Sequence, residues 1–136
     1  MADGRLVGVV LVSQSGPVAE AVAALATALA GGGVTAPVAA AGGTRDGGHG
    51  TSAELISAAA ARVDQGAGVA VLADLGSAVI TVKALLAEGD ELPDGTRLVD
   101  APFVEGAVAA VVTASAGADL ATVEAAAMEA YTCRKV

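Results

Sequence analysis

The stretch Val9-Val10-Leu11-Val12-Ser13-Gln14-Ser15-Gly16-Pro17 decides how this chain is read. Its four apolar residues, three of them β-branched, predict a buried strand. Ser13 to Pro17 are turn and capping residues. Pro17 suits the first helical position, with Gly16 or Ser15 as the cap before it. The chain therefore leaves a strand and turns sharply into a helix. In an open α/β sheet such turns lie at the carboxyl ends of the strands, where ligands bind. Gln14 stands at the tip of the turn, and activity is expected beside it.

The pattern continues on the carboxyl side. A helix is predicted from Pro17 to Leu29, with Val18, Val22, Leu25 and Leu29 as its apolar stripe and Gly31-Gly32-Gly33 as its end. A second strand is expected over Val34–Ala40; Pro37 inside it points to an edge position. The glycine-rich loop Ala41–Gly50 follows. Thr51-Ser52-Ala53-Glu54 reads as a capping box, with a hydroxyl at the cap and Glu54 reaching back. Leu55, Ile56, Ala59 and Val63 form the buried side of that second helix. Val69–Ala73 is continuously apolar, as in a strand covered on both faces. Asp74-Leu75-Gly76-Ser77 makes another strand-to-helix turn, and Val79, Val82, Leu85 and Leu86 face inward after it. Arg97-Leu98-Val99 begins a fourth strand. Ala107–Ala114 fits a helix or a strand, and Asp119 caps a last helix from Leu120 to Tyr131. Strands alternating with helices predict a single α/β domain. Its sheet should be mostly parallel and doubly wound, with four to five strands, helices on both faces and right-handed crossovers.

Composition narrows the function. The 136 residues are 54% hydrophobic and 16% charged, enough for a core and unlike a disordered chain. Most of the apolar content is Ala and Val, so elements must approach closely to pack. The formal charge of −8, with seven Lys and Arg scattered along the chain, provides no basic face to displace counterions from phosphates. Nucleic acid is not an expected partner; a protein with a basic patch is. The apolar run ending at Val12 is too short for a signal peptide core or a membrane span. Cys133 is the lone cysteine, which fits a reducing cytosol. A cytoplasmic location is therefore expected, with no membrane association.

Three segments should converge at the carboxyl edge of the sheet: Ser13-Gln14-Ser15, the glycine loop with Thr51, and Asp74-Leu75-Gly76-Ser77. Helix N-termini there offer free amides and partial positive charge, which suits a phosphate or phosphoryl group. The plainer reading is that Gly and Ser serve turns and caps. The glycine loop lacks the Gly-Lys-Ser/Thr of a P-loop, and no G-x-G-x-x-G joins the first strand to its helix. His49 is the sole histidine and reads first as a solvated loop residue; it cannot build a metal site alone. Asp74 either orients a catalytic group or a metal, or caps its turn, and these readings stay open. No cofactor or metal is expected.

The motif set resembles a known family. Val-Leu-Val-Ser-Gln-Ser at the first turn, Gly42-Gly43 through Gly50-Thr51, Asp74-Leu75-Gly76-Ser77-Ala78 and Ala101-Pro102-Phe103-Val104-Glu105-Gly106 look like the phosphotransferase subunits of bacterial dihydroxyacetone kinases, the DhaM family. Their domain resembles mannose-type enzyme IIA. The resemblance implies a phosphoryl relay. A histidine would take the group from the phosphocarrier HPr, itself charged from phosphoenolpyruvate, and pass it to ADP on the nucleotide-binding subunit DhaL. The ATP formed there would phosphorylate dihydroxyacetone on DhaK. It also implies a homodimer.

The chain departs from the family at one position. The phosphorylated histidine belongs in Val-Ser-His-Ser, and position 14 is Gln. A carboxamide nitrogen has its lone pair delocalised and does not accept a phosphoryl group, but its size and hydrogen-bonding reach resemble those of neutral histidine. The chain is expected to keep the pocket and lose the relay. Gln14 is then either a replacement introduced for histidine or a natural loss. Carried over residue by residue, Gln14 holds the acceptor position and Thr51 would hydrogen-bond it. Ser13, Ser15, Gly42, Gly43, Gly50, Asp74, Gly76 and Ser77 would line the phosphoryl pocket. Glu105-Gly106 would lie on a nearby loop or the dimer seam. The alternative is a non-catalytic sensor or scaffold that binds the carrier or the kinase subunits.

Overall fold

The computed structural model describes residues 3–136. Four parallel strands, β1 (Gly8–Ser13), β2 (Val38–Gly42), β3 (Val69–Ala73) and β4 (Thr96–Leu98), form one sheet in the order β2-β1-β3-β4. Five helices accompany them: α1 (Gly16–Leu29), α2 (Ala53–Val63), α3 (Gly76–Glu88), α4 (Phe103–Ser115) and α5 (Leu120–Glu129). A single 3₁₀ turn, Ala130–Thr132, follows α5.

Successive side chains of a strand point to opposite faces, and β1 uses both. Val9 and Leu11 meet α1, α4 and α5, together with Ala70 and Leu72 of β3. Val10 and Val12 meet α2 and α3, together with Val69 and Val71. The helix between β1 and β2 thus lies on one face, and those between β2, β3 and β4 lie on the other. All three crossovers therefore share one hand, as parallel connections require. The segment 107–114, open to either reading from sequence, is part of α4. It covers β1 and β3 beside α5, whose cap is Asp119 as expected, accepting from the Thr122 amide at 2.9 Å.

Two elements differ in detail from the sequence expectation. β2 begins after Pro37 rather than around it, and runs through Ala41 and Gly42 into the stretch read as loop. Pro37 keeps its carbonyl in play, accepting from the Val9 amide at 2.9 Å. β2 is an edge strand, as its proline implied. The buried face of α1 is Ala19, Val22 and Ala26. Val18, Leu25 and Leu29, assigned to the core stripe, are exposed, Leu29 by 58%. Small side chains fill this face, where the start of α1 passes close to the end of β2.

That closeness is enforced at Gly42. A Cβ there would overlap the Ser15 carbonyl oxygen and stand 2.9 Å from both Ala19 Cβ and Gly16 Cα. Neither backbone neighbour can swing aside. Gly42→Ala is expected to lower stability by about 1–3 kcal/mol, the range typical of overpacking. The measurement is the urea midpoint at constant m; an unchanged midpoint would contradict the close approach.

Candidate functional site

The strand order places a topological switch point between β1 and β3: the chain departs to one side from β1 and to the other from β3. In doubly wound sheets the crevice at the carboxyl ends of such a pair is the usual ligand site. Gln14 follows β1 there, and Asp74 to Ser77 follow β3.

The segments are tied together at Ser13, the one fully buried polar residue among those described. Its Oγ donates to Asp74 Oδ2 at 2.6 Å and accepts from the Ser15 amide at 3.0 Å. Its carbonyl accepts from the Gly43 amide at 3.1 Å, and the neighbouring Val12 carbonyl accepts from the Asp74 amide at 3.1 Å. Asp74 Oδ1 in turn accepts from the Leu75 amide at 2.7 Å, so this carboxylate both closes its own turn and latches β3 to β1. The Gly50 amide completes the ring by donating to the Gln14 carbonyl at 2.9 Å. Gly43, with φ of 71°, turns the chain out of β2 in a conformation only glycine adopts cheaply.

Above this knot the half-buried Gln14 side chain donates through Nε2 to Ser77 Oγ. The Ser77 carbonyl accepts from Thr81 Oγ1 at 3.1 Å, and Thr81 Oγ1 lies 2.8 Å from Thr51 Oγ1. The Thr81 proton is committed to Ser77, so Thr51 is the donor of that pair. The cap of α2 is Ser52, whose Oγ accepts from the Leu55 amide at 3.3 Å. The expected capping box at Thr51 and Glu54 is not formed: Glu54 instead pairs with Arg45 across the glycine loop. Thr51 sits among the site segments, yet its hydroxyl bonds Thr81 rather than Gln14. Thr81 was missed in the sequence. Its signal was the i, i+4 spacing from Ser77, which puts both on one face of α3.

The proposed amide donors divide into two groups. Those of Ser15, Gly43 and Gly50 are spent inside the knot. The first-turn amides of α3, at Gly76 and Ser77, have no intrahelical acceptor by position, and Leu75 provides no side-chain cap. Gly76 and Ser77 are exposed, and a Cβ at Gly76 would meet nothing within 4 Å. The open, electropositive edge of the site is therefore the start of α3 beside Gln14. A cavity of about 530 Å³ adjoins it, lined by Asp74, Leu75, Gly76, Lys83, Asp100 and Tyr131 among others. The Tyr131 hydroxyl donates to Asp100 Oδ1 at 2.9 Å. Glu105 is exposed on the first turn of α4, where Lys135 pairs with it and holds its carboxyl below the usual carboxylate range. Gly106 is buried against Ala101 and Leu72. His49 is exposed on the glycine loop. Among the described residues no group of three or more His, Cys, Asp or Glu could hold a metal ion.

Ser13→Ala removes a buried donor to a carboxylate and the acceptor of the Ser15 amide. The expected loss is about 1.5–3 kcal/mol, as for hydrogen bonds to charged groups. Hydrogen exchange at Ser15 should quicken beyond what global destabilisation accounts for. Equal protection in both proteins would contradict the knot.

Comparison with known proteins agrees with this fold. Residues 8–124 match the family model EIIA-man, described as the PTS system fructose IIA component. The chain is 33% identical over 108 residues to a phosphoryl donor subunit DhaM of PEP-dependent dihydroxyacetone kinase 2 from Listeria innocua, covering 79% of this chain and 85% of that one. It is 35% identical over 133 residues to a DhaM from Pantoea ananatis, covering 96% of this chain but only 28% of that longer protein. A solved protein of unknown function, EF1359, superposes with a TM-score of 0.76 at 29% identity, over 90% of this chain and 93% of that one. A sigma-54 interaction domain protein from Enterococcus faecalis shares the fold, with a TM-score of 0.67 at 16% identity over 93% and 91% of the two chains. The chain belongs to the EIIA-man family of phosphotransferase-system proteins and is a DhaM-like, mannose-type enzyme IIA domain.

Proposed function

We propose that this chain is built as the phosphoryl-relay subunit of a PEP-dependent dihydroxyacetone kinase and that its relay is silent because residue 14 is glutamine. The observation that carries this reading is the Gln14 side chain at the β1–β3 switch point, hydrogen-bonded to Ser77 Oγ beside the uncapped start of α3. Family membership and the DhaM relatives support the relay. In an active member, a histidine at this position would receive the group from HPr and pass it to ADP on the DhaL subunit, with DhaK as the sugar-binding partner. Free amides at Gly76 and Ser77 would hold the equatorial oxygens as charge spreads over them in transfer. Gln14 offers a donor to Ser77 but no nucleophilic nitrogen.

A cytoplasmic setting goes with this function. No helix among the described residues is long and apolar enough to cross a membrane. The exposed Val18, Leu25 and Leu29 of α1 support a homodimer, because a second copy would cover them. Leu75 and Ile80, exposed by 57% and 70% beside an otherwise complete pocket, favour a second reading. In it the chain is a sensor or scaffold that docks the carrier or a kinase subunit without transfer.

Restoring the imidazole tests the assignment. The Gln14→His variant, incubated with phosphoenolpyruvate, enzyme I and HPr, is expected to take up phosphate stoichiometrically at residue 14. If it takes up none there, the relay reading fails. Capture of the DhaL subunit by such a transfer-dead chain would then support the scaffold.

A further inference from the structure

We infer that His49 is a phosphorylation site at the rim of this pocket, taking a phosphoryl group from a phosphohistidine-bearing carrier. The inference rests on the reading of the pocket as a phosphoryl site and goes beyond the silent relay at residue 14.

Position comes first. His49 lies between two glycines that both touch the first turn's surroundings. The Gly50 amide donates to the Gln14 carbonyl at 2.9 Å. Two covalent bonds separate that nitrogen from the His49 Cα, which therefore lies within about 5.4 Å of the Gln14 oxygen. On the other side the Gly48 carbonyl packs over Gly43, where a Cβ would stand 2.7 Å from its oxygen and 3.3 Å from the Gly16 nitrogen. His49 is thus within one side-chain length of residue 14, and its ring is exposed.

The loop is pinned in this place. Thr44 N donates to the Gly48 carbonyl and Gly47 N to the Thr44 carbonyl, each at 3.0 Å. The Gly48 amide donates to Thr44 Oγ1 at 3.0 Å and to Asp46 Oδ1 at 3.2 Å. Arg45 and Glu54 tie the loop to α2. An incoming carrier aimed at residue 14 therefore meets His49 in a defined position rather than on a free tether.

Chemistry supplies the rest. His49 is the sole histidine of the chain. Gln14, Ser77 and Thr51 form no phosphoramidate, and both carboxylate oxygens of Asp74 are engaged, by Ser13 and by the Leu75 amide. His49 carries the imidazole beside them, and exchange of a phosphoryl group between two imidazoles has little energetic cost. In the step, a lone pair on an imidazole nitrogen of His49 attacks phosphorus. A new P–N bond forms as the donor's P–N bond breaks, and the electron pair returns to the donor ring. The proton shed by the acceptor ring balances the proton taken up by the donor ring. With phosphoramidate as donor, ammonia leaves in place of that ring. Nothing is oxidised or reduced.

The test uses the full chain with two donors, phosphoramidate alone and the phosphoenolpyruvate, enzyme I and HPr mixture. Four proteins are compared: the chain as it stands, His49→Ala, Gln14→His, and His49→Ala carrying Ala61→His at the exposed far end of α2. The expected result is an acid-labile, alkali-stable label on the unaltered chain from the carrier mixture. That label is lost in His49→Ala and not recovered by the relocated histidine. Labelling of the relocated histidine to the same extent would overturn the proposal, because mere exposure would then suffice. So would labelling by phosphoramidate but not by the carrier. An unlabelled chain alongside a labelled Gln14→His variant would overturn the proposal and leave the pocket reading standing. No label on either would remove both.

Discussion

A buried hydroxyl costs free energy unless its donor and acceptor sites are filled. Ser13 is wholly buried at the end of the central strand, and its partners come from two directions: Asp74 from the end of the neighbouring strand and Ser15 from the coming helix. Its carbonyl adds a third, Gly43 from the edge strand. One residue thereby fixes where three connections leave the sheet. The next residue, Gln14, is then held at the meeting point with little freedom. The Ser77 contact and the placing of the open start of α3 beside Gln14 both depend on those bonds being made together.

The small residues of the core serve the same arrangement. Ala19, Val22 and Ala26 let α1 lie close on β1 and β2, and Gly42 lets the end of β2 pass the start of α1 without a side chain between them. A bulkier interface would lift the helix and pull Ser15 away from Ser13. The larger apolar residues Val18, Leu25 and Leu29 are left on the outer side of α1. Leu75 and Ile80 add exposed apolar surface at and after the start of α3, beside the polar site.

Much of this was legible in the sequence. Continuous apolar runs gave β1 and β3, the turn residues after each gave the carboxyl edge, and Asp119 announced α5. The misreadings share a cause: local pattern was overridden by contacts distant in sequence. Val18, Val22, Leu25 and Leu29 make a plausible stripe on α1, but the sheet takes only Val22 of it, between Ala19 and Ala26. Thr51 and Glu54 have capping-box spacing, but Thr81 and Arg45 draw them away, and Ser52 caps instead. Pro37 marks an edge strand correctly, but a strand start rather than its middle. At the site, the meeting of Gln14, Ser77 and Asp74 could be foreseen from strand ends. The division of amides into spent and open ones could not, because it depends on which carbonyls the fold brings near.

Position 14 is where fold and chemistry part. The bonds around Ser13 hold position 14 in place, and the group held there is a carboxamide that donates a hydrogen bond to Ser77. The proposed role requires that this pocket recognise a phosphorylated carrier. Amide chemical shifts of the isotope-labelled chain, followed during titration with phosphorylated HPr, test it directly. The account predicts the largest changes at Ser13 to Gly16, Gly50, Gly76 and Ser77, and smaller ones with unphosphorylated HPr. Changes confined to other surfaces, or none, would contradict it.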